Sequence, residues 1–189
     1  MRAGNKGLCA ALLLLALGCG GASPALAAGD AARVPAVWVP REFTFRYVGF
    51  TTKYSCAGLQ ARMRDILLQL GARPDLDLSR YGCVGADAPE TTPGVRVVMH
   101  VLQPANAPLA ESVAAHWDTV DLLAKRVPLD AALDCELIAQ LRREVLPLFP
   151  TGQIDYGAAC SVHHPLIGGT RLRVDVLRAE ATPPVAAVR

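Results

Sequence analysis

Cysteine spacing constrains this chain more than any other feature. Cys56 and Cys83 stand 27 residues apart, Cys135 and Cys160 stand 25 apart, and each interval reads in the same order, helix, turn, strand. In the first interval Leu59, Met63, Ile66, Leu67 and Leu70 recur at spacings of three and four, the pattern of a helix with one buried stripe, and Gly71 follows. In the second, Ile138, Leu141, Val145 and Leu148 repeat the stripe, and Pro147 limits or kinks its last turn. The segments "RDIL" at 64–67 and "REVL" at 143–146 fall at the same distance from their cysteines. Ser55 and Asp134 precede those cysteines, and both side chains can accept from the free amides of a first helical turn. The two stretches are expected to be one position in a duplicated unit.

Length arithmetic then selects the cysteine pairing. Of the six cysteines, Cys9 and Cys19 lie in the export signal read below, and the remaining four allow three connectivities. A helix of about 16 residues climbs roughly 24 Å, and a strand of seven or eight residues running back covers about 25 Å. Residues 75–83 and 152–160 read as such strands, so the end of each returns beside the start of its helix. This predicts disulfides Cys56–Cys83 and Cys135–Cys160, within the roughly 4.4 to 6.8 Å between Cα atoms that a disulfide accepts. Alternating residues predict strands at 42–48, 95–102, 116–123 and 171–177. The expected fold is α+β, with two tandem βαββ units forming a two-layer sandwich. The first unit would span 36–105, a linker 106–112 and the second unit 113–178. Residues 28–35 are expected to be flexible and 179–189 disordered. Whether the strands form one sheet or two leaves no mark in the sequence.

Residues 1–27 read as a cleaved export signal. Arg2 and Lys6 precede the apolar run from Leu8 to Gly18, and "ALA" at 25–27 is a small-residue cleavage site. The run is shorter than the roughly 20 residues a membrane-crossing helix needs, and no later segment is apolar enough to span. An alternative is processing at Cys19, which would anchor the protein by a lipid. Either route places the chain in the periplasm or outside the cell, where disulfides persist. Losing Arg2 and Lys6 reduces the 19 basic residues to 17, against 17 acidic ones. A neutral chain lacks the basic excess that phosphate neutralisation demands, which argues against nucleic acid as a partner.

The run "FTTKYSCAGLQARMRDILLQLGARPDLDLSRYGC", residues 50–83, is similar to a segment of uncharacterised exported bacterial proteins. The resemblance implies no activity, cofactor or site residue. The βαββ order also resembles small periplasmic modules of envelope machines.

Chemistry has few candidates. His163 and His164 are weak metal candidates, and no H-x-x-x-H, H-E-x-x-H or C-x-x-C accompanies them. Cys56 and Cys135 occupy the helix start that lowers a thiol pKa, but matched cysteine partners favour structural disulfides. No phosphate-binding, dinucleotide or nucleophile-elbow pattern is present, so no cofactor and no catalytic residue is expected. The connection holding Thr51, Thr52, Lys53 and Tyr54 lies before a helix N-terminus, where free amides attract anions. Arg46 and Arg96 lie on the wet face of the predicted sheet. These six are the candidate binding residues. The expected function is a non-catalytic interaction or ligand-binding protein of the cell envelope, its partner an envelope protein or small ligand. The alternative is a metal-binding protein or hydrolytic enzyme using His163 and His164.

Overall fold

The alternation of Phe43 and Phe45 with Glu42, Thr44 and Arg46 is the end of a longer strand. In a computed structural model, which describes residues 33–50, 52–85, 88–107, 110–123, 134–157 and 170–180, β1 runs from Val34 to Arg46. Residues 36–46 pair antiparallel with β3 (Gly94–Pro104). On its other side β1 meets β4 (Val113–Asp121) only at residues 34–36. Among the described residues no strand pairs with the rest of that side, and Pro40 lies there, where a missing amide costs no ladder bond. Residues 34 and 35, expected in a flexible N-terminus, are thus part of the sheet, because they form its central junction.

Helix α1 (Cys56–Gln69) follows the predicted stripe, with Leu59, Met63, Ile66 and Leu67 buried. Ser55 Oγ accepts from the Gly58 amide at 3.0 Å, the expected cap. The helix ends at Gly71, whose φ of +90° favours glycine, and a Cβ there would lie 2.8 Å from the Leu177 carbonyl oxygen. Strand β2 (Asp77–Tyr81) pairs with β3. Its outer edge is covered by α1: Gln60 Nε2 donates to the Leu78 carbonyl at 2.6 Å, and Arg64 Nη1 donates to the Leu76 carbonyl at 3.2 Å. The disulfide Cys56–Cys83 joins the start of α1 to the turn after β2, with 6.2 Å between Cα atoms.

The second half departs from a regular helix. Helix α2 covers Cys135–Gln140, continues as a π-helical turn at Leu141–Val145 and closes as a 3-10 turn at Leu146–Leu148. Pro147 accounts for the tightened end, since it donates no amide and its ring crowds the preceding turn. Cys135 is also a disulfide cysteine; its expected partner, Cys160, lies outside the described residues. Strands β5 (Thr151–Gly157) and β6 (Arg171–Ala179) complete the sheet. Their register shifts between Thr151 and Ile154. Asp175 fixes the irregularity, accepting from Thr119 Oγ1 at 2.6 Å and from the Gln153 amide at 3.2 Å.

All six strands form one sheet in the order β2-β3-β1-β4-β6-β5. The described residues from 33 onward belong to one compact unit. One buried cluster unites Phe45, Leu59, Met63, Val97, Ile138, Leu141 and Val174, among others, and so draws on both helices and both halves of the sheet. A smaller cluster of Ala36, Leu102, Ala115 and Leu177 lies where β1 meets β4. Among the described residues no helix is long and apolar enough to cross a membrane.

The disulfide closes a long loop in the unfolded chain. Replacing Cys56 and Cys83 together by alanine should lower unfolding free energy by about 3 kcal/mol. The urea midpoint should fall while the native far-ultraviolet dichroism is kept.

Candidate functional site

Glu136 and Gln140, one turn apart on α2, interrupt the apolar stripe with polar groups, and both turn toward the segment that follows β1. Gln140 clamps Val48: its Oε1 accepts from the Val48 amide at 3.2 Å and its Nε2 donates to the Val48 carbonyl. Glu136 Oε2 accepts from the Phe50 amide at 2.9 Å and lies 3.3 Å from the Tyr47 hydroxyl. That hydroxyl also donates to the Thr52 carbonyl at 2.9 Å. Gly49 is required between them, because a Cβ would collide with the Tyr47 hydroxyl and come within 2.7 Å of Glu136 Oε2.

Beneath this segment lies a buried polar knot. Asp134 is 1% exposed. Its Oδ1 accepts from the Tyr54 hydroxyl and its Oδ2 from Arg62 Nη1 at 2.7 Å. The Arg62 guanidinium also lies 5.4 Å from the Tyr54 ring, which packs edge-on against Tyr47 with centroids 4.7 Å apart. Asp134 does not cap α2 as expected, since no amide of that helix bonds its side chain. A guanidinium and a phenol, both from the first half of the chain, take the carboxylate instead. Burial, then the nearby Glu136 carboxylate, raises the Tyr47 pKa well beyond the usual tyrosine range. Burial, then the bond to Asp134, does the same for Tyr54.

Above the knot the surface is apolar and cationic. Phe50 is 80% exposed and Val48 52%. Together with Arg46, Glu136, Ala139, Gln140, Arg143 and Glu144 they line an open cavity of about 330 Å³. A second, of about 470 Å³, is lined by Ala139, Arg142, Arg143 and Tyr156, so the two share Ala139 and Arg143.

The expected binding residues are scattered by this arrangement. Arg46 lines the first cavity, lies 5.0 Å from the Tyr81 ring and donates to the Tyr81 hydroxyl at 3.2 Å. Tyr54 is buried in the knot, Thr52 lends its carbonyl to Tyr47, and Lys53 is exposed. Arg96 is exposed on the sheet and paired with Glu42. Thr51, His163 and His164 lie outside the described residues. His100 is half-buried, with Nδ1 2.9 Å from Arg73 Nη2. No cluster of three or more metal-ligating side chains occurs among the described residues. Sequence reasoning passed over Val48, Phe50, Glu136, Gln140 and Arg142. The polar pair Glu136 and Gln140 inside an apolar stripe was the available signal.

No family model, curated protein or solved structure matches the chain.

Removing the Asp134 carboxylate would leave Tyr54 and Arg62 without their shared acceptor. Asp134→Ala should therefore cost about 3 kcal/mol in urea unfolding. Because the folded state raises both tyrosine pKa values, their contribution is complete below the unfolded value of about 10 and declines as pH rises above it. Stability of the native protein should fall above about pH 10, and less steeply with Tyr47 and Tyr54 both changed to Phe. Tyrosinate absorbance should show these two hydroxyls ionising only on unfolding.

Proposed function

We propose that the protein is an exported, non-catalytic interaction module of the cell envelope, and that it binds a partner protein through Val48, Phe50 and the neighbouring rim of α2. One observation carries this reading: Phe50 is the most exposed aromatic side chain among the large apolar residues, yet its own amide is held by Glu136. The preceding Val48 is clamped on both backbone groups by Gln140. An apolar tip in water is unfavourable, and a loop left free would fold it inward. Pinning it outward gives a rigid anchor with little left to order on binding.

Export fits the same reading, through a signal at 1–27 whose removal leaves a neutral chain, or through a lipid at Cys19. The Cys56–Cys83 disulfide is compatible with a location outside the cytoplasm. The resemblance of residues 50–83 to exported bacterial proteins points the same way. We further infer that the chain is a duplicated βαββ unit with a second disulfide Cys135–Cys160. Support comes from the strand order, in which β2-β3-β1 is mirrored by β5-β6-β4 about the junction of β1 and β4. Strand, helix, strand, strand also occurs twice along the chain.

A photo-crosslinking residue at position 50 of the exported protein tests the interaction. It should yield a discrete adduct in the envelope, whereas the same residue at exposed position 98 on the sheet should not. Equal labelling from both positions, or none from 50, would refute the assigned surface.

A further inference from the structure

Each of the two adjoining cavities has an arginine stacked on an aromatic ring. Arg142 lies over the Tyr156 ring at 4.4 Å from its centroid, and Arg46 over Tyr81 at 5.0 Å. A guanidinium on an aromatic face is fixed in its plane while its N–H edge stays open, and that edge matches a carboxylate with two parallel bonds. Among the described residues Arg142 has no hydrogen-bond or ion-pair partner, so its donor edge is unoccupied. Arg46 spends one donor on the Tyr81 hydroxyl. Arg143, which lines both cavities, pairs among the described residues with its neighbour Glu144, an exposed contact that solvent weakens and a competing carboxylate can replace.

The acidic groups of the same surface are already committed. Glu136 accepts from Phe50 and faces Tyr47, and Glu144 holds Arg143. Three guanidiniums therefore face a surface whose two carboxylates are engaged. Ala139, the small residue shared by both cavities, keeps the floor low between Phe50 on one side and Arg142 on the other. The π-helical turn at Leu141–Val145 carries Arg142 and Arg143, and such turns recur at functional positions.

We propose that this surface recognises an acidic segment of a partner polypeptide. A carboxylate would meet the Arg142 edge, and an adjoining apolar side chain would rest on Phe50 and Val48. The proposal rests on the interaction reading above and adds the chemistry of the partner. The two fail separately, because Phe50 reports the first and Arg142 the second.

The test uses a fluorescein-labelled peptide of alternating Asp and Leu, a counterpart with Lys in place of Asp, and vesicles of phosphatidylglycerol, each with the full exported protein. The acidic peptide should bind, and the lysine peptide and the vesicles should not. Arg142→Gln should weaken binding by roughly tenfold, and Arg142→Lys nearly as much, since an ammonium cannot supply the paired donors. Rising salt should weaken binding further. Arg80→Gln, an exposed arginine away from both cavities, should change nothing. Unchanged affinity in Arg142→Gln, equal binding of the lysine peptide, or preference for the vesicles would each overturn the proposal. Binding and crosslinking that depend on Phe50 but not on Arg142 would overturn the acidic partner and leave the interaction surface standing.

Discussion

A single buried carboxylate ties the two halves of the chain together. Asp134 sits at the head of the second helix, and both of its identified donors, Tyr54 and Arg62, belong to the first helix and its approach. A charge so placed is tolerated only with close partners, and moving either half strips those partners away. The relative placement of the helices is thus specified by directional bonds, where apolar packing alone would permit sliding. Both disulfide cysteines at the helix starts adjoin this knot, since Cys56 follows Tyr54 by two residues and Cys135 follows Asp134 directly.

The knot matters because the sheet provides little fastening between the halves. β1 and β4 share only three residue pairs, after which each strand runs past the end of the other. Besides the common apolar cluster, the halves are joined by polar contacts between the segment after β1 and α2, by Arg178 Nη2 donating to the Gln69 carbonyl at 2.5 Å and by the exposed Arg33–Glu180 pair. The contacts between the segment after β1 and α2 also hold Phe50 outward. The cohesion of the fold and the outward placement of Phe50 therefore come from the same side chains. A substitution at Glu136 or Gln140 acts on both.

Much of this architecture was legible in the sequence, and the parts that were not have physical reasons. The stripe through Leu59, Met63 and Ile66 marked α1, and the length arithmetic placed Cys56 against Cys83. Alternation marked the strands, but the start of β1 carries Pro35 and Pro40 and does not show it; among the described residues most of one side of that strand is unpaired, which is where Pro40 is accommodated. The second stripe reads as one helix, because a π-helical turn keeps apolar residues on the buried side while changing the hydrogen-bond pattern. Asp134 reads as a cap in the sequence because its position fits one. Only the three-dimensional proximity of Arg62 and Tyr54, 72 and 80 residues away, shows that the carboxylate is used elsewhere. The site followed the same logic: Tyr54 looks available beside a helix N-terminus and is interior, whereas Arg142, on the π-helical turn, gains its setting from Tyr156 on β5.

The covering of β2 by Gln60 and Arg64 has a consequence for how copies of the protein behave together. A terminal strand with bare carbonyls is a template on which another chain can grow, and such growth is how crowded proteins zip into fibrils. Here two carbonyls at that border already have side-chain donors from the neighbouring helix. A newcomer must first displace them, so the molecule itself hinders growth along the start of that border.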